Sequence, residues 1–109
     1  MLQVPFQDFP AFSETTALDG QVYRLTFRWN TRGQYWTLKV SQADGTPILS
    51  GIKLVPDYEL ISAYVDMGPP PGLLFVVNPS GQLYTVTRDN LPSGEIALVY
   101  MTEAERAAL

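Results

Sequence analysis

The sequence predicts an all-β domain, either a small antiparallel barrel or a rolled β-sandwich built from hairpins, with a short C-terminal helical turn. Apolar and polar residues alternate strictly over Gln21–Asn30 and again over residues 34–42, a pattern typical of strands with one buried face. Short turn signals rich in glycine, proline and aspartate separate these segments from their neighbours. Such chains remove exposed edges by closing or rolling the sheet, and residues 1–109 suffice for a single domain.

The first two predicted elements precede a tight turn. Residues 2–6 are expected to form a short edge strand or an extended arm, because Pro5 and Pro10 exclude this segment from the centre of a sheet. A strand near residues 13–18 follows. It ends at Leu18-Asp19-Gly20-Gln21, where the Asp-Gly pair is typical of a two-residue hairpin turn.

The central hairpin joins Gln21–Asn30 to residues 34–42 through a turn at residues 30–33. Gly33 is expected to take the positive φ that such a turn requires. Because a sheet with one buried face must match its apolar positions across strands, the sequence favours one register. That register makes two pairs: Phe27 with Trp36, and Leu25 with Leu38.

The next turn, at residues 43–45, allows two geometries. A two-residue turn would pair Val40 with Leu49, whereas a three-residue loop with Gly45 in the left-handed region pairs Val40 with Ile48 and Trp36 with Ile52. The second geometry matches apolar residues better, so we expect a bulge-type turn. Gly51, inside the third strand of residues 46–55, is expected to mark a kink or a close backbone approach.

The second half of the chain is predicted to contain four further strands, at residues 59–65, 73–77, 82–87 and 96–101. The three prolines of residues 68–72 form a stiff loop that cannot join a ladder. A turn at residues 78–81 is expected to pair the strand at 73–77 with that at 82–87.

The last eight residues change character. Thr102 and Glu105 have capping-box spacing, and the alanines that follow favour a helix. A segment this short is not stable alone, so it must dock or fray. Because its loss should remove no strand, we expect residues 102–109 to matter for assembly more than for folding.

Composition excludes the common kinds of catalytic and metal site. The chain has no cysteine and no histidine, so its residues cannot build a disulfide, a thiolate nucleophile, a cysteine zinc site or a Ser-His-Asp hydrolase. Aspartate is common in turns for its own backbone hydrogen bonds. The aspartates in or beside predicted turns show no Asp-x-Asp spacing: Asp44, Asp57, Asp66 and Asp89. We therefore expect no enzyme activity, no cofactor and no metal.

The charge balance argues against nucleic acid and membrane partners. Seven Lys and Arg residues against eleven Asp and Glu residues give a net charge of −4 and a pI near 4.5. These scattered cations do not supply the basic footprint of a duplex-binding protein. No apolar run approaches the ~20 residues that span a bilayer, and residues 1–10 lack the pattern of a secretory signal.

Aromatic side chains are the best candidates for a binding surface. Tyr35 is predicted on the outward face of its strand near Arg28, and Trp29 lies at a strand end. Exposed aromatics can stack on sugars or single-stranded nucleic acid. Cross-strand packing, or burial against another subunit, where Tyr, Trp and Arg are enriched, fits an acidic chain better. The candidate interface residues are Arg28, Tyr35 and Trp29, with Phe6 and Phe9 of the N-terminal arm.

Three motifs together carry a family resemblance. They are Leu18-Asp19-Gly20-Gln21-Val22-Tyr23, then Trp29-Asn30, then Asp44-Gly45-Thr46-Pro47-Ile48-Leu49-Ser50-Gly51-Ile52. With the last strand and the Thr102–Glu105 tail, the similarity extends from about Val4 to Glu105. On these residues the chain resembles the phage baseplate plug domain family, the cyanophage-type baseplate plug of contractile-tailed phages.

The resemblance implies a structural protein without catalytic residues. It implies a position at the tail axis within the baseplate hub, near the spike and the end of the tube, where the chain would plug or line the lumen. The implied partners are other hub, spike and tube proteins, in a virion made in the cytoplasm of a bacterial host. It also implies a closed homo-oligomer, with three copies favoured because the spike end of such tails is three-fold.

Two other functions remain open from the sequence. A carbohydrate- or polymer-binding β module would use a row of exposed aromatic residues. A connector or adaptor elsewhere in a phage particle would use the same all-β fold as a contact surface. Neither adds a catalytic residue to the candidate set.

Overall fold

Seven strands in two antiparallel sheets and one short helix form the part of the chain that the computed structural model describes, namely residues 2–55, 59–61, 68, 70, 72–78, 80 and 85–108. In chain order the elements are β1 (Leu2–Val4), β2 (Ala11–Leu18), β3 (Gln21–Asn30), β4 (Tyr35–Gln42), β5 (Pro47–Lys53), β6 (Leu73–Val77), β7 (Ala97–Met101) and α1 (Glu103–Ala107). The four-stranded sheet has the order β2-β3-β4-β5, and the three-stranded sheet has the order β1-β7-β6. The all-β fold with a C-terminal helical turn is confirmed.

The two sheets share one hydrophobic core. Phe27 and Trp36 enter it from the four-stranded sheet, and Leu74, Leu98 and Tyr100 enter it from the three-stranded sheet. Among the described residues no strand ladder joins one sheet to the other, so these strands do not close into a barrel. Of the two forms that the sequence allowed, the structure is compatible with the rolled sandwich.

The turn between β2 and β3 has the predicted two-residue geometry. Leu18 pairs with Gln21, and both central residues have positive φ, 54° at Asp19 and 78° at Gly20. Two positive φ values define a turn whose twist matches that of the flanking strands. This turn places the Asp19 side chain at the end of the sandwich.

The predicted register of β3 on β4 is wrong by two residues. The structure pairs Trp29 with Trp36 and Phe27 with Leu38. A register shift of two residues keeps the same side chains on the inner face. The predicted inner and outer faces are therefore confirmed, although the predicted pairs are wrong. Arg28 consequently lies opposite Thr37.

The shift follows from the length of the β3–β4 loop, which has four residues. The Gln34 N–H donates to the Asn30 carbonyl oxygen at 2.8 Å, and Gln34 has the positive φ of 59° that was expected at Gly33. Gly33 serves a different purpose. A Cβ atom there would overlap the ring of Tyr35, so only glycine lets that ring lie over the loop.

The β4–β5 hairpin confirms the three-residue loop but not the predicted pairs. Gly45 has a φ of 96°, and its N–H donates to the Gln42 carbonyl oxygen at 2.9 Å. Beyond the loop, two irregularities shift the register, so that Val40 pairs with Leu49 and Leu38 pairs with Ile52. The second lies at Gly51, whose φ of 71° confirms the predicted kink.

The three-stranded sheet is built from distant parts of the chain. The N-terminal segment was expected to form either a short edge strand or an extended arm. The structure shows the edge strand, β1, in which Leu2 pairs with Tyr100 of β7. β7 lies in the centre, between β1 and β6, and all five of its residues are buried. A strand at residues 82–87 was predicted to pair with β6. This prediction is wrong for residues 85–87, which form no strand, and residues 82–84 lie outside the described residues. Of the predicted strand at 59–65, residues 59–61 form none and the rest lie outside the described residues.

An aromatic cluster fills one end of the core. The Phe6 ring centroid lies 4.7 Å from that of Phe27 and 4.9 Å from that of Trp36, and Phe12 packs beside them. The Trp36 side chain is fully buried, and its Nε1–H donates to the Thr87 carbonyl oxygen at 3.2 Å. The cluster therefore ties the N-terminal arm and the loop before β7 to the four-stranded sheet.

A polar bridge joins the two sheets at the opposite hairpin. The Asp19 carboxylate accepts hydrogen bonds from the Tyr100 hydroxyl and from the Glu103 N–H, and the Tyr100 oxygen accepts the Gly72 N–H at 2.7 Å. Burial, with the hydrogen bond to Asp19, raises the pKa of Tyr100 well above its usual range. We call this arrangement the Asp19–Tyr100 bridge. It holds the first hairpin turn, β7 and the start of α1 together.

Helix α1 begins with the predicted capping box. The Glu105 N–H donates to Thr102 Oγ1 at 3.2 Å, and the Thr102 N–H donates to Glu105 Oε1 at 3.1 Å. The reciprocal bonds satisfy two backbone donors at the helix start. These bonds and the Glu103 contact to Asp19 hold the helix against the body of the protein. The sequence allowed this segment either to dock or to fray, and the structure shows that it docks.

Candidate interaction surface

The outer face of the four-stranded sheet carries mainly polar and charged side chains. Cross-strand pairing places its side chains in rows, of which one runs through Ala11, Arg28, Thr37 and Lys53. The next row runs through Ser13, Thr26 and Lys39. The Ser13 and Thr26 hydroxyls are hydrogen-bonded at 3.0 Å, which fixes both side chains on the face.

A groove of about 510 Å³ crosses this face. Small residues of the edge strands form its two ends, Ala11 and Ser13 on β2, and Ser50 and Gly51 on β5. Arg28 and Lys39 rise from the central strands between them. The edge positions at its ends carry little side chain, and the ladder between β4 and β5 is irregular at Gly51, which lines the groove.

Carboxylates are absent from this face among the described residues. Glu14 lies on the inner side of β2, and Asp19 and Asp44 lie in the turns. The Thr46 hydrogen bonds to Asp44, and more weakly the charge of Arg24, lower the pKa of the Asp44 carboxyl, which keeps it ionised at the rim. The outer face is therefore positively charged in a protein whose net charge is −4.

Two of the candidate residues share the outer face. Arg28 is exposed and pairs with Thr37, whereas Tyr35, which was predicted near Arg28, pairs with Asn30. The Tyr35 ring is half-buried beneath Lys53, whose Nζ lies 4.9 Å from the ring centroid. The Tyr35 hydroxyl accepts a hydrogen bond from Asn30 Nδ2 at 3.1 Å. Tyr35 is thus a fixed, amphipathic element of the surface.

The other three candidates lie elsewhere. Trp29 is half-buried on the inner side, where its ring meets Trp36 with centroids 5.5 Å apart. Phe6 belongs to the aromatic cluster. Phe9, on the segment between β1 and β2, is 58% exposed. The structure therefore separates Trp29 and Phe6 from the surface that Arg28 and Tyr35 share.

The alternation over residues 34–42 gives Lys39 an outward position, but Lys39 is not among the candidate residues. Its contribution to the surface depends on the groove, whose ends are formed by small residues of β2 and β5. The alternation pattern gives the direction of a side chain and contains no information about a cavity between strands. Among the described residues, no group of three or more Asp and Glu side chains could hold a metal ion, and no helix is long and apolar enough to cross a membrane.

Comparison with known families assigns the chain. A family model described as "Cyanophage baseplate Pam3 plug gp18" matches residues 1–103, which include every strand of both sheets. The chain belongs to this family. The baseplate plug family is structural, so the chain is a structural component of a phage tail baseplate, located in the virion and in contact with other baseplate proteins. No curated protein matches the chain.

Proposed function

We propose that the chain plugs or lines the axial lumen of the baseplate hub, near the spike and the end of the tail tube. The observation that carries the proposal is the match of residues 1–103 to a plug family. The chain would be made in the cytoplasm of a bacterial host and incorporated into the tail. There it acts by shape and contact, without catalysis.

The contact residues that we propose are Arg28 and Tyr35 on the outer face, together with Phe9 on the segment before β2. Arg28 and Phe9 are exposed, and Tyr35 is held by Asn30 and Lys53 in one orientation. Arginine and aromatic side chains supply much of the binding energy at protein interfaces. Trp29 and Phe6 would contribute by shaping the aromatic cluster beneath this surface.

We further propose that the assembly is cyclic and contains three copies. A part on the tail axis must match the symmetry of the spike and hub around it, and closed point groups are the rule for such assemblies. The partners are then hub, spike and tube proteins together with the other copies of the chain.

Co-expression with the hub, spike and tube proteins, followed by imaging of the complex, tests the proposal. The expected result is density for three copies on the axis at the end of the tube. A monomeric chain absent from the axis would contradict it, as would turnover of a peptidoglycan or glycan substrate. Phe9→Ser and Arg28→Ala should reduce incorporation, while Arg32→Ala, at an exposed loop residue outside the proposed surface, serves as the matched control.

A further inference from the structure

The charges of this chain are divided between its two parts. Residues 11–53, which form the four-stranded sheet, contain five Lys and Arg residues and three Asp and Glu residues, a net charge of +2. The remaining residues contain two Lys and Arg residues and eight Asp and Glu residues, a net charge of −6. The protein is thus electrically polarised, although the sequence shows its cations only as scattered residues.

The fold concentrates the positive charge further. The outer face presents four cations, Arg24, Arg28, Lys39 and Lys53. Asp44 approaches Arg24 at the rim, and the Lys53 ammonium lies over the Tyr35 ring. Arg28 and Lys39, which border the groove, have no carboxylate partner among the described residues. Two cations without a carboxylate partner, both lining one groove, form a potential binding site for a carboxylate group.

We propose that this groove binds an acidic surface loop of a second copy of the chain, in a head-to-tail contact. The cyclic arrangement of copies is taken from the proposed function. The division of charge within the chain is the reason to expect a second copy as the partner, because one copy supplies the positive face and the other supplies the acidic loop. A face-to-face dimer would place Arg28 and Lys39 against their own copies, and like charges at close range oppose binding. A head-to-tail contact avoids this repulsion, and repeated contacts of this kind generate a ring when the rotation closes.

The loop that fits the groove is that of residues 88–95. Its carboxylates Asp89 and Glu95 are both exposed, and the loop is stiffened by Asn90, whose side chain bonds Thr85 and Thr87. A stiff loop loses little conformational freedom when it binds. The groove is larger than one carboxylate, so it can also accommodate the backbone of such a loop beside the Ser13 and Thr26 hydroxyls.

The size of the face limits the area of the contact. Four strands spaced about 4.8 Å apart, each about 25 Å long, present roughly 500 Å² per copy. A total near 1,000 Å² lies at the lower limit of specific interfaces. The free chain should therefore associate weakly, in the micromolar to millimolar range, and the association should weaken as salt screens the charges.

Analytical ultracentrifugation of the full chain at up to about 1 mM, in low and in high salt, tests the proposal. The wild type should self-associate in low salt. Arg28→Glu should weaken this association about tenfold or more, and Lys39→Glu should do the same. Arg32→Glu makes the same change in charge at an exposed loop residue off the groove, so it should associate like the wild type. Thermal unfolding of each variant verifies that it is folded.

A mixing experiment tests the direction of the contact. The double variant Asp89→Lys with Glu95→Lys should also fail to associate alone. Mixed with Arg28→Glu it should form a complex, because each then carries the charge that the other has lost. A wild type that stays monomeric at 1 mM in low salt would overturn the proposal. Equal self-association of the Arg28→Glu and Arg32→Glu variants would overturn it too. So would a wild type that does not self-associate but binds a DNA oligonucleotide, if Arg28→Glu abolishes that binding.

Imaging of the baseplate separates this inference from the proposed function. Three copies around the axis in which Arg28 and Lys39 contact no 88–95 loop of a neighbouring copy would refute the head-to-tail contact alone. Normal self-association of a chain that never enters the baseplate would refute the axial position alone.

Discussion

The four-stranded sheet occupies one continuous segment of the chain, residues 11–53, and each of its strands pairs with the next one in sequence. The three-stranded sheet instead takes its strands from both ends and the middle, and it pairs Leu2 with Tyr100. The two sheets share one core, so they stabilise each other although they differ in how they are encoded. Local hairpins can form independently, whereas the distant pairings must first overcome the entropy of closing a long loop.

The largest expected effect tests whether the core unites the two sheets. Trp36→Ala removes a fully buried ring from the aromatic cluster and deprives the Thr87 carbonyl of its donor. We expect a loss of about 3–5 kcal/mol in the free energy of unfolding. Denaturant unfolding should show one transition at a lower midpoint with an unchanged m value. A midpoint close to that of the wild type would contradict the assignment of Trp36 to the shared core.

The Asp19–Tyr100 bridge should affect the three-stranded sheet more than the four-stranded one. Tyr100→Phe leaves the Gly72 N–H without its acceptor and removes one donor from Asp19, so we expect a loss of about 1–3 kcal/mol. Amide hydrogen exchange should accelerate most in β1, β6 and β7. Tyr35→Phe is the matched control, because the Tyr35 hydroxyl bonds only Asn30 among the described residues, so its loss should cost less. Equal losses in the two variants would show that the bridge contributes little.

Removal of α1 should separate folding from assembly. A chain ending at Met101 keeps every strand but loses the capping box and the Glu103 N–H bond to Asp19. We expect it to fold with a loss of about 0.5–1.5 kcal/mol, the range for one typical hydrogen bond, and to enter baseplates poorly. Circular dichroism and incorporation into tails measure the two properties. Failure to fold would contradict the expectation, and so would folding with normal incorporation.

The smallest expected effect concerns a carboxyl group on the inner side of edge strand β2. Glu14 Oε1 is buried and has no hydrogen-bond donor among the described residues, and burial raises the pKa of this carboxyl. Because the unfolded chain then ionises at lower pH than the folded one, Glu14 destabilises the protein as the pH rises above about 4. Glu14→Gln should therefore stabilise the protein at pH 7, by less than about 1 kcal/mol, and have no effect below the unfolded pKa.

Denaturant midpoints of Glu14→Gln and the wild type at pH 7 and at pH 3.5 provide the measurement. Glu95→Gln, at an exposed loop position, is the control and should change the midpoint little at either pH. A Glu14→Gln variant less stable than the wild type at pH 7 would show that the carboxylate has a stabilising partner. The comparison also tests whether an inward charge on an edge strand, a device that discourages edge-to-edge pairing, lowers stability here.

The difference between the sheets also explains how much the sequence could predict. Alternation and turn residues predicted the four-stranded sheet and the outward positions of Arg28 and Tyr35, because these features depend on neighbours in the chain. The β3–β4 register failed because Gly33 is required by the Tyr35 ring above it and not by its own φ. The pairing of β1 with β7 left no local signal. The Asp-Gly turn alone accounts for an aspartate at position 19, so the sequence gives no indication of its hydrogen bond with Tyr100.

The pairing of Leu2–Val4 with Ala97–Met101 also sets a time scale for synthesis. A ribosome adds about 5–20 residues per second, so β1 waits roughly 5–20 s for its partner strand to be made. During that time residues 11–53 can complete three hairpins, whereas Leu2 and Val4 remain unpaired and available to other nascent chains. The brevity of β1 and the proline at position 5 limit that exposure, because a three-residue strand ending before a proline is a poor template for intermolecular pairing.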